Sequence, residues 1–178
     1  MSVLDVTEGR GYIAKIEQHS FVDGEGVRVS MYVSGCPFLC EGCYNVAAQR
    51  FTYGEPFNDE TLEAILHYCE PDYIAGLSIL GGEPFCNVDI TLKVARAFRQ
   101  KFGHRKSLWV WTGFLYEYLS HDAGIRYQLL SLIDVLVDGP FIQALFQPNL
   151  AYKGSLNQRV INVPASLKKG TPVIYVED

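Results

Sequence analysis

Val27-Arg28-Val29-Ser30-Met31-Tyr32-Val33-Ser34-Gly35-Cys36-Pro37-Phe38-Leu39-Cys40-Glu41-Gly42-Cys43-Tyr44-Asn45 is the stretch on which the fold turns. Its first half alternates. Val27, Val29, Met31 and Val33 are apolar, and Arg28, Ser30, Tyr32 and Ser34 stand between them, the two-residue period of a β-strand with unlike faces. The run stops at Gly35, and three cysteines follow at C-x3-C-x2-C spacing. A strand therefore delivers the chain into a cysteine loop.

Spacings this short need a looped backbone and let three thiolates converge on one metal centre. A structural zinc site takes four closed ligands, yet His19, His67, His104 and His121 are scattered and no fourth Cys or His stands at ligand spacing. Zinc with a distant fourth ligand, or three ordinary core cysteines, are the plainer readings. A cluster of four irons on three cysteines would leave one iron open to a chelating substrate. Cys69, on an apolar helix face, reads as a core residue, and Cys86 as structural, although it follows a Gly-Gly-Glu-Pro loop.

Outward from the loop, Asn58 is an N-cap with Asp59 and Glu60 in the first turn, and Leu62, Ile65, Leu66 and Cys69 share one helical face. Tyr73 to Leu80 reads as a buried strand closed by Gly81-Gly82-Glu83-Pro84, and Val88 to Phe102 as a helix. Leu108 to Trp111 is a strand ending at Thr112-Gly113. Phe114 to Leu132 is helical in two pieces broken near Gly124, and Ile133 to Val137 is a short strand ending at Asp138-Gly139-Pro140. Arg159 to Val163 and Pro172 to Val176 are β-like runs around a Gly/Lys-containing turn. Strands alternating with helices predict an α/β protein with a mostly parallel sheet. At 178 residues the chain is too short for an eight-fold barrel, so a partial, open (β/α) barrel in a single domain, residues 1–178, is expected. Working groups in such folds sit on loops at the C-terminal ends of strands, here the cysteine loop, Gly81-Gly82-Glu83, Thr112-Gly113 and Asp138-Gly139.

Composition is that of a globular protein, with 48% hydrophobic and 20% charged residues. Met1 to Arg10 lacks the apolar core of a secretory signal, and no apolar run approaches membrane-spanning length. A cytoplasmic location without a membrane partner is expected. Five cysteines, an odd number, then meet a reducing compartment, where clustered thiols point to metal or redox chemistry. Net charge is -5, yet residues 91–178 hold eleven Lys/Arg against six Asp/Glu. Lys93, Arg96, Arg99, Lys101, Arg105 and Lys106 concentrate that basicity, as a solvated helix face or, less simply, a docking patch for an acidic partner. No nucleic-acid motif and no Walker loop accompany it, so neither nucleic-acid binding nor ribonucleotide reduction by this chain is expected.

C-x3-C-x2-C resembles the cluster motif of the radical S-adenosylmethionine (SAM) superfamily. The aromatic residue usual before the third cysteine is Gly42 here, with Tyr44 on the other side. Gly42-Cys43-Tyr44-Asn45 is similar to the version in the activating proteins of anaerobic ribonucleoside-triphosphate reductases. Asp23-Gly24-Glu25-Gly26-Val27-Arg28, Leu80-Gly81-Gly82-Glu83-Pro84, Trp109-Val110-Trp111-Thr112-Gly113, Val135-Leu136-Val137-Asp138-Gly139 and Gly154-Ser155-x-Asn157-Gln158-Arg159-Val160 agree with that family in order. The last fifteen or so residues are outside the shared pattern and receive no role.

The resemblance implies a barrel of the radical SAM type with one 4Fe-4S cluster on Cys36, Cys40 and Cys43, and SAM chelating the open iron through its amino and carboxylate groups. Gly42, Cys43 and Tyr44 would lie against the cofactors. Gly81, Gly82 and Glu83 would form the methionine-binding loop, where side-chain-free residues let backbone groups approach and a carboxylate holds the ammonium. Asp138 is a candidate SAM or radical-positioning contact, or else a cap on the Gly139-Pro140 turn. The lysine that formate-lyase activases carry two positions after that acid is Pro140 here. The implied activity is reductive cleavage of SAM to methionine and a 5'-deoxyadenosyl radical, which takes hydrogen from a glycine of the large subunit of the anaerobic ribonucleotide reductase. A flavodoxin or ferredoxin-type protein would supply the electron. Activation of another glycyl-radical enzyme, small-molecule radical chemistry, or a non-catalytic iron-sulfur or zinc module that binds a partner are the alternatives.

Overall fold

In the computed structural model, which describes residues 11–176, the chain runs β1 (Tyr12–Ser20), β2 (Val27–Val33), β3 (Glu55–Pro56), α1 (Asp59–Tyr68), β4 (Ile74–Gly81), α2 (Val88–Phe102), β5 (Ser107–Trp111), α3 (Tyr116–Ser120), α4 (Ile125–Leu130), β6 (Val135–Asp138), β7 (Arg159–Asn162), α5 (Val163–Lys169) and β8 (Ile174–Val176). Met1 to Arg10, read above for signal character, lie outside the described residues. No helix among the described residues is long and apolar enough to cross a membrane.

The eight strands of the described residues join one sheet in the order β3-β1-β2-β4-β5-β6-β7-β8. The pairings β2/β4, β4/β5 and β5/β6 are parallel, whereas β1/β2, β1/β3, β6/β7 and β7/β8 are antiparallel. The expectation of a mostly parallel sheet therefore holds for the centre and fails at the flanks. Between β1 and β2 the chain has only residues 21–26, too few for the crossover that parallel neighbours need. In the centre, α1, α2 and the α3–α4 pair supply those crossovers.

The alternation of β2 separates two environments. Val29, Met31 and Val33 enter the main core with Leu77, Ile79, Leu108, Val110 and Leu136 of the neighbouring strands and Ile65, Ala95, Phe98, Leu119 and Leu129 of the helices. Helix α1 begins as the sequence requires, with Asn58 Oδ1 accepting the Thr61 N–H at 2.8 Å. A smaller cluster of Trp109, Val135, Val137 and Val160, joined by Trp111, Tyr152 and Val176, lies apart from that core.

Arg28 explains the Asp23-to-Arg28 motif. Its buried guanidinium donates to Ser78 Oγ (2.7 Å), Ser107 Oγ (2.9 Å) and the carbonyls of Glu25 (3.2 Å), Leu77 (2.9 Å) and Ser107 (2.8 Å). It also lies 5.4 Å from the Trp109 ring centroid. Asp23 Oδ2 accepts hydroxyl protons from Ser20, Ser30 and Tyr32, each at 2.8 Å. The motif thus ties β2, β4 and β5 together.

The C-terminal segment carries more structure than its sequence announced. Between β7 and β8 the expected turn is a helix, α5, capped by Asn162 Oδ1 accepting the Ala165 N–H and stopped at Gly170, whose φ of 81° is left-handed. From β8, Tyr175 donates its hydroxyl to Glu25 (2.8 Å) and sets its ring edge-on to Trp109 (5.5 Å between centroids).

Candidate metal and cofactor site

Parallel pairing of Val33 with Gly81 sets the ends of β2 and β4 side by side. The Gly82 N–H donates to the Val33 carbonyl (2.7 Å) and the Glu83 N–H to that of Gly35 (2.8 Å). On its other side the cysteine loop is held by Gly35 N–H to Ala48 O (2.7 Å) and Cys36 N–H to Gln49 O (3.0 Å). Gly35 has a φ of 104°, and a Cβ there would fall 2.2 Å from the Phe51 ring, so glycine is required twice over. Leu39 is a left-handed non-glycine residue (φ 49°) between the first two cysteines.

Cys36, Cys40 and Cys43 are half-buried free thiols. Burial pushes Cys36 up to about 12 and raises Cys40, while the N–H groups of Phe38 and Phe141 respectively pull the other way. Cys43 Sγ accepts the Asn45 N–H at 3.3 Å. Among the described residues no three His, Cys, Asp or Glu side chains close on a single ion. A cubane gives each thiolate its own iron, and three half-buried free thiols on one loop fit that ligand set. Cys69 and Cys86 are buried in the main core, as their sequence positions predicted.

The three thiols line a cavity of about 220 Å3 together with Tyr44, Gly81, Gly82, Glu83, Trp111, Thr112 and Gly113. Its far wall is Gly139, Pro140, Phe141, Gly154 and Gln158. Loops leaving β2, β4, β5 and β6 therefore meet on one edge, as expected. Of the predicted site residues, Gly42 and Asp138 are not in the lining. Gly42 is left-handed (φ 73°) and a Cβ there would lie 2.9 Å from Gln143 Cδ, so this position packs on the β6–β7 connection.

Glu83 is buried, and its carboxylate already has three donors. Oε1 accepts from Phe85 N–H (2.9 Å) and Thr112 Oγ1 (2.7 Å), and Oε2 from Gly113 N–H (2.7 Å). Burial nevertheless raises its pKa to about 7, with these hydrogen bonds opposing the shift. Glu83 thus joins the β4 loop to the β5 loop, and the remaining acceptor capacity of Oε2 is what an ammonium group could use.

Asp138, fully buried, has a different set of partners. Oδ2 accepts the Tyr116 N–H at 2.7 Å, at the first residue of α3, and Arg159 Nε donates to Oδ1 at 3.0 Å. Arg159 also grips both oxygens of Glu117. The carboxylate locks α3 against β6 and β7, instead of capping the Gly139-Pro140 turn. The basic stretch on and after α2 is likewise engaged: Lys93 with Asp59, Arg96 with Gln128, Arg99 with Asp134, Lys101 with Glu70, Arg105 with its own helix end, and Lys106 with the carbonyls of Pro71 and Ile74. It belts neighbouring elements together, a structural role that neither the solvated helix face nor the docking patch described.

Of the far wall, the sequence points to Gly139 as part of a converging loop but not to Pro140, Phe141, Gly154 or Gln158 as site residues. Gln158 Oε1 accepts the Gly154 N–H (2.9 Å), its Nε2 donates to Gly139 O (2.9 Å), and Asn157 Nδ2 donates to Pro140 O (2.7 Å). The Gly154-to-Arg159 segment, visible only as a family-like string, is a clasp that holds the β6 exit loop in place.

Comparison with known proteins agrees with this arrangement. A family model described as a 4Fe-4S single cluster domain matches residues 22–161. The Pasteurella multocida (strain Pm70) anaerobic ribonucleoside-triphosphate reductase-activating protein is 39% identical over 142 residues, covering 77% of this chain and 88% of its own. The protein of the same name from Escherichia coli (strain K12) is 38% identical over 143 residues (78% and 90%). That of Enterobacteria phage T4 is 32% identical over 142 residues (79% and 86%).

Proposed function

Because the chain belongs to the family of anaerobic ribonucleoside-triphosphate reductase-activating proteins, we propose that it is a radical SAM activase that generates a glycyl radical on the large subunit of an anaerobic ribonucleotide reductase. The observation that carries this reading is the shared cavity: three thiols on one wall and the Gly81-Gly82-Glu83 loop on the next. When bound, a 4Fe-4S cluster would supply one electron to SAM, whose fragmentation to methionine lets the adenosyl part take a hydrogen atom from the partner's glycine.

The chain's own residues would do the rest. Cys36, Cys40 and Cys43 would each ligate one iron and give up a proton on binding, since thiolates are the ligands. Gly81 and Gly82 would present main-chain groups, and Glu83 would accept from the SAM ammonium while keeping the β5 loop in register. Tyr44 would form the outer wall. Asp138 would act from behind, fixing α3 and hence the wall at Thr112-Gly113, instead of touching SAM. The open sheet with a parallel centre supports a partial radical SAM barrel in a single domain. A flavodoxin or ferredoxin-type donor in the cytoplasm completes the proposal.

The test is anaerobic reduction of cluster-loaded protein with SAM, with and without the reductase. Methionine, 5'-deoxyadenosine and a glycyl-radical paramagnetic signal on the reductase are expected. A cluster that leaves SAM intact after reduction would select the non-catalytic module, and a radical only on a different enzyme would replace the partner.

A further inference from the structure

Asn87, the residue before α2, is buried (1% exposed) and does not line the cluster cavity. Its side chain nevertheless reaches both loops that build it. Nδ2 donates to the carbonyl of Gly35 in the cysteine loop (3.0 Å) and to that of Glu83 in the β4 loop (2.9 Å). Both groups facing it are carbonyl oxygens, so only the amino end of the amide fits there.

Neither carbonyl depends on Asn87 for a donor. Gly35 O also accepts the Glu83 N–H (2.8 Å), and Glu83 O accepts the Cys86 N–H (3.1 Å). The side chain makes no capping bond to α2. Among the described residues no protein group donates to its buried Oδ1, and a buried polar atom without a protein partner is a cost to stability. What the amide adds is a second tie between the two loops. A single hydrogen bond, Glu83 N–H to Gly35 O, lets two segments pivot about it; a bridge from a third, fixed point removes that freedom. The point is fixed because the Asn87 N–H donates to Pro84 O (3.2 Å), and its carbonyl accepts from the N–H (3.1 Å) and Oγ1 (3.0 Å) of Thr91.

We propose that Asn87 is a positioning residue that sets the spacing between the cysteine loop and the Gly81-Gly82-Glu83 loop, so that one ligand can reach both. The inference rests on the cofactor reading above, in which SAM spans those two walls. Cys36, Cys40 and Cys43 lie on one loop, and their mutual arrangement does not need the amide. SAM touches both loops, so a shift of one against the other falls on SAM. Loss of the tie should therefore weaken SAM binding while leaving cluster uptake intact. Asn87 acts through Gly35 and Glu83 and has no contact with SAM itself.

The test compares cluster-loaded wild type with Asn87→Leu, which keeps a branched shape without a donor, with Asn87→Ala, and with Cys69→Ala, a destabilising core substitution outside both loops. SAM affinity is read anaerobically by equilibrium dialysis and by the change SAM causes in the paramagnetic spectrum of the reduced cluster. Amide hydrogen exchange on the cluster-free proteins reads the loops themselves. Wild-type iron content, SAM affinity lower by about tenfold or more in both Asn87 variants, and faster exchange at the Gly82 and Glu83 amides are expected, with Cys69→Ala near wild type in iron and SAM affinity. Wild-type SAM affinity in either Asn87 variant, a loss no larger than that of Cys69→Ala, or unchanged exchange would overturn the proposal. So would failure of both Asn87 variants to take up iron, which would make the residue a support of the cysteine loop alone. If SAM binding responds as expected but the wild type leaves SAM intact after reduction, the activase reading fails and the positioning role stands. If the wild type cleaves SAM and the Asn87 variants bind it equally well, the reverse holds.

Discussion

A Cβ added to Gly82 would lie 2.7 Å from the carbonyl oxygen of Gly35 and 3.0 Å from that of Ala48. The missing side chain therefore lets the β4 loop press backbone to backbone on the cysteine loop, a different need from the close ligand approach that the sequence suggested. Gly82→Ala should displace the cysteine loop, with an overpacking cost of about 1–3 kcal/mol. Urea unfolding of the cluster-free protein would measure the loss, and iron content after anaerobic reconstitution should fall with it. Normal stability and iron content would show that the loops yield easily.

Glu83 makes cluster-free stability pH-dependent. Its folded-state pKa of about 7 stands above the ordinary 4.5. Between those values the folded protein holds a proton that the unfolded chain has released. Stability from this group is thus fully present below pH 4.5 and falls as pH rises through 7, by up to about 3 kcal/mol. Glu83→Gln, though weaker overall because the Gly113 N–H loses a carboxylate, should lack that slope. Unfolding free energies across this range, wild type minus variant, isolate the group.

Arg28 should tolerate no substitute. Arg28→Met leaves Ser78 and the carbonyls of Leu77 and Ser107 without their donor in the interior, at a cost of roughly 3 kcal/mol or more. Arg28→Lys should recover little, because one ammonium cannot span five acceptors set for a planar fork. A melting temperature within a few degrees of wild type for the lysine variant would contradict this.

Alanine at Cys36, Cys40 or Cys43 should lower reconstituted iron and alter the cluster spectrum. Alanine at Cys69 should leave both intact while lowering stability by about 1 kcal/mol, as for other buried side chains. Iron loss confined to Cys69→Ala or Cys86→Ala would reverse the assignment.

Where side chains alternate or repeat strongly, the fold could be read in advance. Helix α2 spans Val88–Phe102 as its periodicity predicted, and the two pieces between Phe114 and Leu132 break at Gly124, the residue preceding α4. Strand β1 carries no clear sequence signal, since Lys15, Glu17, Gln18 and His19 dilute its alternation and it needs β2 to define it. Helix α5 was hidden because its seven residues begin Val163-Pro164 and its cap, Asn162, belongs to a strand. At the site, the cysteines announced themselves by spacing. Gln158 and Asp138 could not be placed in that way, since their partners, Gly139, Tyr116 and Arg159, are distant in sequence and only folding brings them together.

Burial raises the thiols of Cys36 and Cys40, so holding either sulfur as a thiolate costs more than in a free cysteine. Burial favours the protonated form at both positions, and a protonated thiol is a poorer nucleophile than a thiolate. The loop is meanwhile already folded, clamped to Ala48, Gln49 and the β4 end. A loop set in shape by its own main chain leaves iron the chemical task alone, displacing protons that burial holds on two of the three sulfurs.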